Sequence, residues 1–102
     1  MAYGKRDDGE WIEDAGRVIR LLADHHDAER HQRFVVEVRG QTLLIAHNLD
    51  LARRVPLGIG DKVRFRGIYE YNEQGGLVHW THRDPLGRDA GGWVQFRREE
   101  FA

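Results

Sequence analysis

The chain has no cysteine, which excludes disulfides and thiolate metal sites and leaves the redox compartment open. Its longest uninterrupted apolar run covers residues 43–46, too short for a membrane-spanning helix or for the hydrophobic part of a signal peptide. The chain as given is therefore expected to be cytoplasmic and away from the membrane, with an exported form expected only from a longer N-terminus. Lysine is scarce, at Lys5 and Lys62 alone, so arginine supplies nearly all of the basic charge. Basic and acidic residues almost cancel, 16 against 17, for a net charge of −1. That balance argues against a dedicated high-affinity nucleic-acid binder, where basic charge is in excess. At 102 residues the chain can bury one core and no more.

What is present is a period of two. Residues 16–22 read as a first strand, and residues 23–31 as a polar loop carrying His25, His26 and His31. Residues 33–38 alternate cleanly and place Phe34, Val36 and Val38 on one face. Arg39-Gly40 is a turn, and residues 41–47 close the hairpin. Residues 48–56 break the alternation. Asn48 is a good N-cap, Asp50 sits in the first turn, Arg53 and Arg54 come last, and Pro56 stops the segment. This predicts a short helix. Residues 61–71 then form a long strand, 72–76 a loop, 77–82 a returning strand, and 93–96 a last apolar strand after a glycine-rich loop.

Three strands, a short helix and two or three more strands predict a mostly β fold, a small OB-like barrel of five to six strands. The expected organisation is a partly disordered lead over residues 1–14, one domain over 15–98 and a tail over 99–102. Gly67 decides the phase of its strand. A bulge there, expected because it buries Ile68, turns Glu70 to the interior side as well.

The most chemically loaded stretch is His79-Trp80-Thr81-His82-Arg83-Asp84-Pro85. On a regular strand His79 and Thr81 share one side, and Trp80 and His82 the other, with Trp80 in the core beside Phe34 and Trp93. His79 and Thr81 make a His-x-Thr element, one of the two that two-histidine phosphoesterases use to hold a phosphate. The competing reading is ordinary cross-strand packing. His79, His82 and Asp84, with His47 or His31, carry the donor types of a divalent-metal site such as zinc, although a regular strand turns His79 and His82 apart. Asn48 and Asp50 are accounted for by capping, and Asp84-Pro85 by a turn.

The pieces His31-Gln32-Arg33-Phe34, residues 41–51, Gly60-Asp61, Phe65-Arg66-Gly67, Glu70-Tyr71-Asn72, Gly75-Gly76 and His79-Trp80-Thr81-His82 occur here in one order. In this the chain resembles a bacterial domain-of-unknown-function family, number 3465, marked by its His-Trp-Thr-His motif, over roughly residues 15–94. The resemblance implies a bacterial source and supplies no activity. After Gly91-Gly92-Trp93 the family pattern continues with histidine and glycine, and Gln95-Phe96-Arg97 stands here instead.

Two functions follow from the residues. The first is a binding module for a polar or anionic ligand, with single-stranded nucleic acid as one candidate, using Arg33, Arg64, Arg66, Glu70, Asn72 and His82 and no cofactor. The alternative is a small phosphodiesterase-like hydrolase with His79 and Thr81 as catalytic residues. It would work with or without a divalent metal held by His79, His82, Asp84 and His47.

Overall fold

The computed structural model describes residues 2–102 and is mostly β. Its strands are β1 (Trp11–His26), β2 (Arg30–Val38), β3 (Gln41–Asn48), β4 (Lys62–Glu70), β5 (Leu77–His79), β6 (Trp93–Phe96) and β7 (Glu99–Phe101). They form a seven-stranded sheet in the order β1-β2-β3-β5-β4-β6-β7, and β1 also pairs with β4. The sheet therefore closes in a ring of β1, β2, β3, β5 and β4.

Closure depends on the length of β1. Its first part pairs with β4 from Trp11↔Ile68 to Arg17↔Lys62, and its second part pairs with β2 from Arg17↔Glu37 to His26↔Arg30. Register shifts after Val18 and after Leu22 bend it between the two partners. On the far side of the ring β3 and β5 run parallel, paired only at Leu44↔Leu77 and Ile45↔Val78.

The period-two reading holds for the core of β2 and for β4 up to Gly67, where Phe34, Val36, Val38, Val63 and Phe65 are buried. Leu43 and Ile45 on β3, Tyr69 on β4, Val78 on β5 and Val94 and Phe96 on β6 complete the core. Arg39 and Gly40 both take positive φ, as a two-residue hairpin turn demands.

Several expectations are corrected. No helix lies between β3 and β4. Asn48 does cap a turn: its side-chain oxygen accepts from the Asp50 N–H at 2.8 Å, and its carbonyl accepts from Ala52 N–H at 3.0 Å. The turn is not continued because Val55 is claimed from outside. The buried Gln32 side chain accepts from Val55 N–H at 2.9 Å and donates to the Val55 carbonyl at 2.8 Å. No bulge forms at Gly67 either. The β1–β4 register is unbroken through Ile12↔Gly67, so Ile68 and Glu70 stay on the outer face. Gly67 is needed for close approach: a Cβ there would lie 2.5 Å from the His79 carbonyl oxygen and 2.7 Å from Val78.

The supposed loop over 23–31 is mostly strand, since β1 runs to His26 and β2 begins at Arg30. Of the lead expected over 1–14, Met1 lies outside the described residues. The rest is ordered, with a 3₁₀ turn at Lys5–Asp7, Ile12 buried and Tyr3 packed on the core. Gln41 fastens it, accepting from the Tyr3 N–H at 2.9 Å and donating to the Tyr3 carbonyl at 3.0 Å. Residues 99–101 of the tail are β7, whose Phe101 is buried.

Trp80 is the largest correction. It has φ 60, ends β5 at His79, and is 40% exposed instead of lying in the core. Trp93 is half-buried.

Candidate ligand cleft

The other edge of β4, opposite β1, is shared by two strands in series. β6 takes Arg64 to Arg66 and β5 takes Ile68 to Glu70. Between them, opposite Gly67, the chain leaves the sheet after His79 and returns at Trp93. Its exit is locked from below. Gly92 donates its N–H to the His82 carbonyl at 2.7 Å, and a Cβ on Gly92 would collide with the carbonyl oxygens of Trp80 and Arg66. The glycine pair before Trp93 therefore exists to let two backbones touch.

This exit forms one wall of a cleft of about 390 Å³ lined by Glu29, His31, Asn48, Leu51, His79, Trp80, His82 and Pro85. Glu29 comes from the β1–β2 connection, His31 from β2 and Asn48 opposite it on β3. Asn48 Nδ2 donates to the Glu29 carboxylate. The Trp80 and His82 rings face each other with centroids 5.0 Å apart and planes at 30°. His82 Nδ1–H donates to the Arg83 carbonyl at 2.7 Å.

His79 faces Glu70 on the neighbouring strand, with Nε2 3.0 Å from the carboxylate. Burial pushes its imidazole below the usual histidine range, although Glu70 pulls the other way. In the neutral ring Nε2–H donates to Glu70, since a carboxylate only accepts, and Nδ1 is left as an acceptor or base. Arg33 lies on the same outer face: it pairs with Ala46, and the β3–β5 register carries Ala46 to His79. Two strand spacings separate them, about 10 Å between backbones. The Arg33 Nε donates to the Ala23 carbonyl at 3.0 Å.

Other candidates are not in this cleft. Thr81 is fully buried, and its hydroxyl meets His47 Nδ1 at 2.8 Å. His79 and Thr81 thus engage different partners, because Trp80's positive φ cancels the alternation that would have aligned them. His47, also fully buried, has Nε2 3.1 Å from the Arg53 carbonyl. A carbonyl only accepts, so Nε2 carries the proton and Nδ1 accepts from Thr81. Burial, with a smaller contribution from His82, lowers the His47 pKa to about 4 against the opposing pull of the Arg53 hydrogen bond.

Asp84 takes the N–H groups of Leu86 and Arg88 at 2.9 and 3.0 Å in a turn, and these bonds hold its carboxyl below the usual range. Among the described residues no group of three or more histidine, aspartate or glutamate side chains is placed to hold a metal ion. The proposed quartet of His79, His82, Asp84 and His47 is not assembled, as His47 and Asp84 are committed elsewhere. Asn72 closes the β4–β5 loop by accepting from Gln74 and Gly76 N–H. Arg66 lies over Trp11 at 4.7 Å and donates to the Gly91 carbonyl at 3.0 Å, while exposed Arg64 is 3.8 Å from Glu13.

Sequence reasoning missed Glu29 and Leu51 in the cleft and misplaced Trp80. The available signal was the glycine pair at 91–92, which requires something to pass close beneath it.

The sequence profile of the family described as Protein of unknown function (DUF3465) matches residues 1–102. The chain belongs to this family. No curated protein and no solved structure matches it significantly. The DUF3465 match extends over β1 and β7 as well as the His-Trp-Thr-His segment, so the family covers the whole ring and not the cleft alone.

Proposed function

We propose that the chain is an OB-type binding module whose cleft takes a polar or anionic ligand carrying a flat ring, with single-stranded nucleic acid as the macromolecular form of that chemistry. The observation that carries this reading is Trp80: a bulky residue at φ 60, exposed, and set beside two imidazoles. Such a backbone conformation costs about 1–3 kcal/mol and recurs where a ligand is gripped. An exposed indole offers a stacking face worth about 1–3 kcal/mol per base. His79 Nδ1 is left to meet a donor on the ligand, and the Arg33 row extends the surface across β2 and β3. Support also comes from the ring itself. A five-stranded Greek-key ring closed between its third and fifth strands is OB-like, and OB folds bind on the face of strands 2 and 3 and on the β1–β2 loop, here the source of Glu29.

The test is a titration of isotope-labelled protein with mononucleotides, short oligonucleotides and oligosaccharides, followed by amide and indole resonances. Shifts centred on His31, His79 and Trp80, abolished in Trp80→Ala, are expected. Absence of any perturbation, or equal affinity in a folded Trp80→Ala, refutes the reading.

The Glu70–His79 pair favours a second reading, a hydrolase in which Glu70 orients His79 as a general base. That reading predicts turnover of generic phosphodiesters falling about 10²–10⁴-fold in His79→Ala. It fails with no turnover in the wild type.

A further inference from the structure

We infer that a second, separate site for a chain of phosphates lies between β4 and the β6–β7 hairpin. A cleft of about 460 Å³ there is lined by Ala15, Lys62, Arg64, Gln95, Arg97 and Arg98, with Val63 at its floor. Four of these side chains are cationic and none is acidic. The chain as a whole carries net charge −1, so this concentration of positive charge is local.

Among the described residues Glu13 is the carboxylate that reaches a cation of this cleft. Glu99 is bound by Arg53, Glu100 lines a different cleft with Arg53 and Arg83, and Glu13 approaches only Arg64, at 3.8 Å. Among the described residues Lys62, Arg97 and Arg98 have no ion-pair partner. The apolar stems give the cleft its walls, and the Arg97 guanidinium lies 4.9 Å from the Phe96 ring centre.

The turn supplies an independent observation. Phe96 pairs with Glu99, so Arg97-Arg98 are both central residues of a two-residue hairpin, with φ 52 and 67. Asparagine and glycine are the residues that fit this turn. Two arginines in its place put strained backbone under two side chains that line one cleft, and their planar guanidinium forks match phosphate oxygens. The site is distinct from the imidazole cleft and stands whether or not that cleft binds anything. Its ligand is a polyanionic phosphate chain, available either as a nucleic-acid backbone or as free inorganic polyphosphate.

The experiment measures anisotropy of a labelled oligothymidylate of about ten nucleotides with the full chain at low salt, with inorganic polyphosphate as competitor and as direct probe by calorimetry. The informative variant is Arg97→Asn with Arg98→Gly, which removes both charges and gives the turn its preferred residues. Expected are binding that weakens with salt, an affinity loss of about tenfold or more in the double variant, and a log–log salt slope flatter by about 1.4, at about 0.7 per phosphate contact. Its melting temperature is expected to be unchanged or raised. Lys62→Gln with Arg64→Gln, on an exposed strand face, is expected to act alike. Binding of the oligonucleotide without displacement by polyphosphate supports the site with nucleic acid as its source, and binding of polyphosphate alone supports it with the free chain. No binding of either probe at low salt overturns the inference. So does unchanged affinity and slope in both folded variants.

Discussion

His47 makes this protein sensitive to mild acid. Its ring is fully buried at the end of β3, held between the Thr81 hydroxyl and the Arg53 carbonyl, and the neutral ring satisfies both without carrying a charge out of water. Its pKa falls from 6.5 to about 4, chiefly by burial. Between those values the unfolded chain binds a proton that the folded protein refuses, so stability rises with pH across this window. The contribution is complete above about pH 6.5, declines as pH falls, and is gone below about pH 4. At about 1.4 kcal/mol per pH unit the loss amounts to about 3 kcal/mol. That is a large fraction of the 5–15 kcal/mol, roughly, that holds a domain folded. His79 shifts in the same direction but is half-exposed, so water reduces its share. The assay is urea unfolding at 25 °C, followed by tryptophan fluorescence at steps from pH 7.5 to 4. His47→Gln is the control, because a glutamine amide can serve both partners and cannot take the proton. The wild-type curve should fall by about 3 kcal/mol across the window and the variant curve should be flatter by about that amount. An identical fall in the two proteins would refute the reasoning, as would a buried ring that titrates near 6.5 by nuclear magnetic resonance.

Phe65→Ala, which empties a fully buried site on β4, should cost about 3–5 kcal/mol in chemical denaturation. Trp80→Ala should cost less than about 1 kcal/mol, because the ring is exposed. Trp80→Gly should be at least as stable as Trp80→Ala, since glycine accepts φ 60 without strain. Gly67→Ala should lower stability by about 1–3 kcal/mol, because the new methyl meets the His79 carbonyl oxygen, and a melting temperature equal to wild type would contradict the close approach.

The inward rows of β2 and of β4 up to Gly67 were legible because alternation is written directly in side-chain type. Phe34, Val36 and Val38 sit where period two puts them. The helix over residues 48–56 was misread because Asn48 and Pro56 serve a single turn as well as they serve a helix. The deciding partner, Gln32, lies on another strand. The end of β1 was missed because polar residues such as His25 and His26 are held there by backbone pairing rather than by burial. At the candidate cleft His79, His82 and the Arg33 face were visible. The pairing of His79 with Glu70 was not, since it depends on an unbulged Gly67 and on the β4–β5 register, and the separation of Thr81 was not, since it follows from one positive φ at a tryptophan, which no composition signal announces.

The series arrangement of β5 and β6 along one edge of β4 has a consequence for how such a chain can diversify. The segment that departs after His79 comes home a few residues away on the same strand, and its two ends are clamped where Gly92 meets His82. Everything between those clamps is tethered to the ring without being part of its fabric. Lengthening such a stretch twofold adds only about 0.6 kcal/mol of closure entropy. A new rim for the cleft can therefore be grafted at residues 84–90 while the strands that hold the fold keep every partner they have.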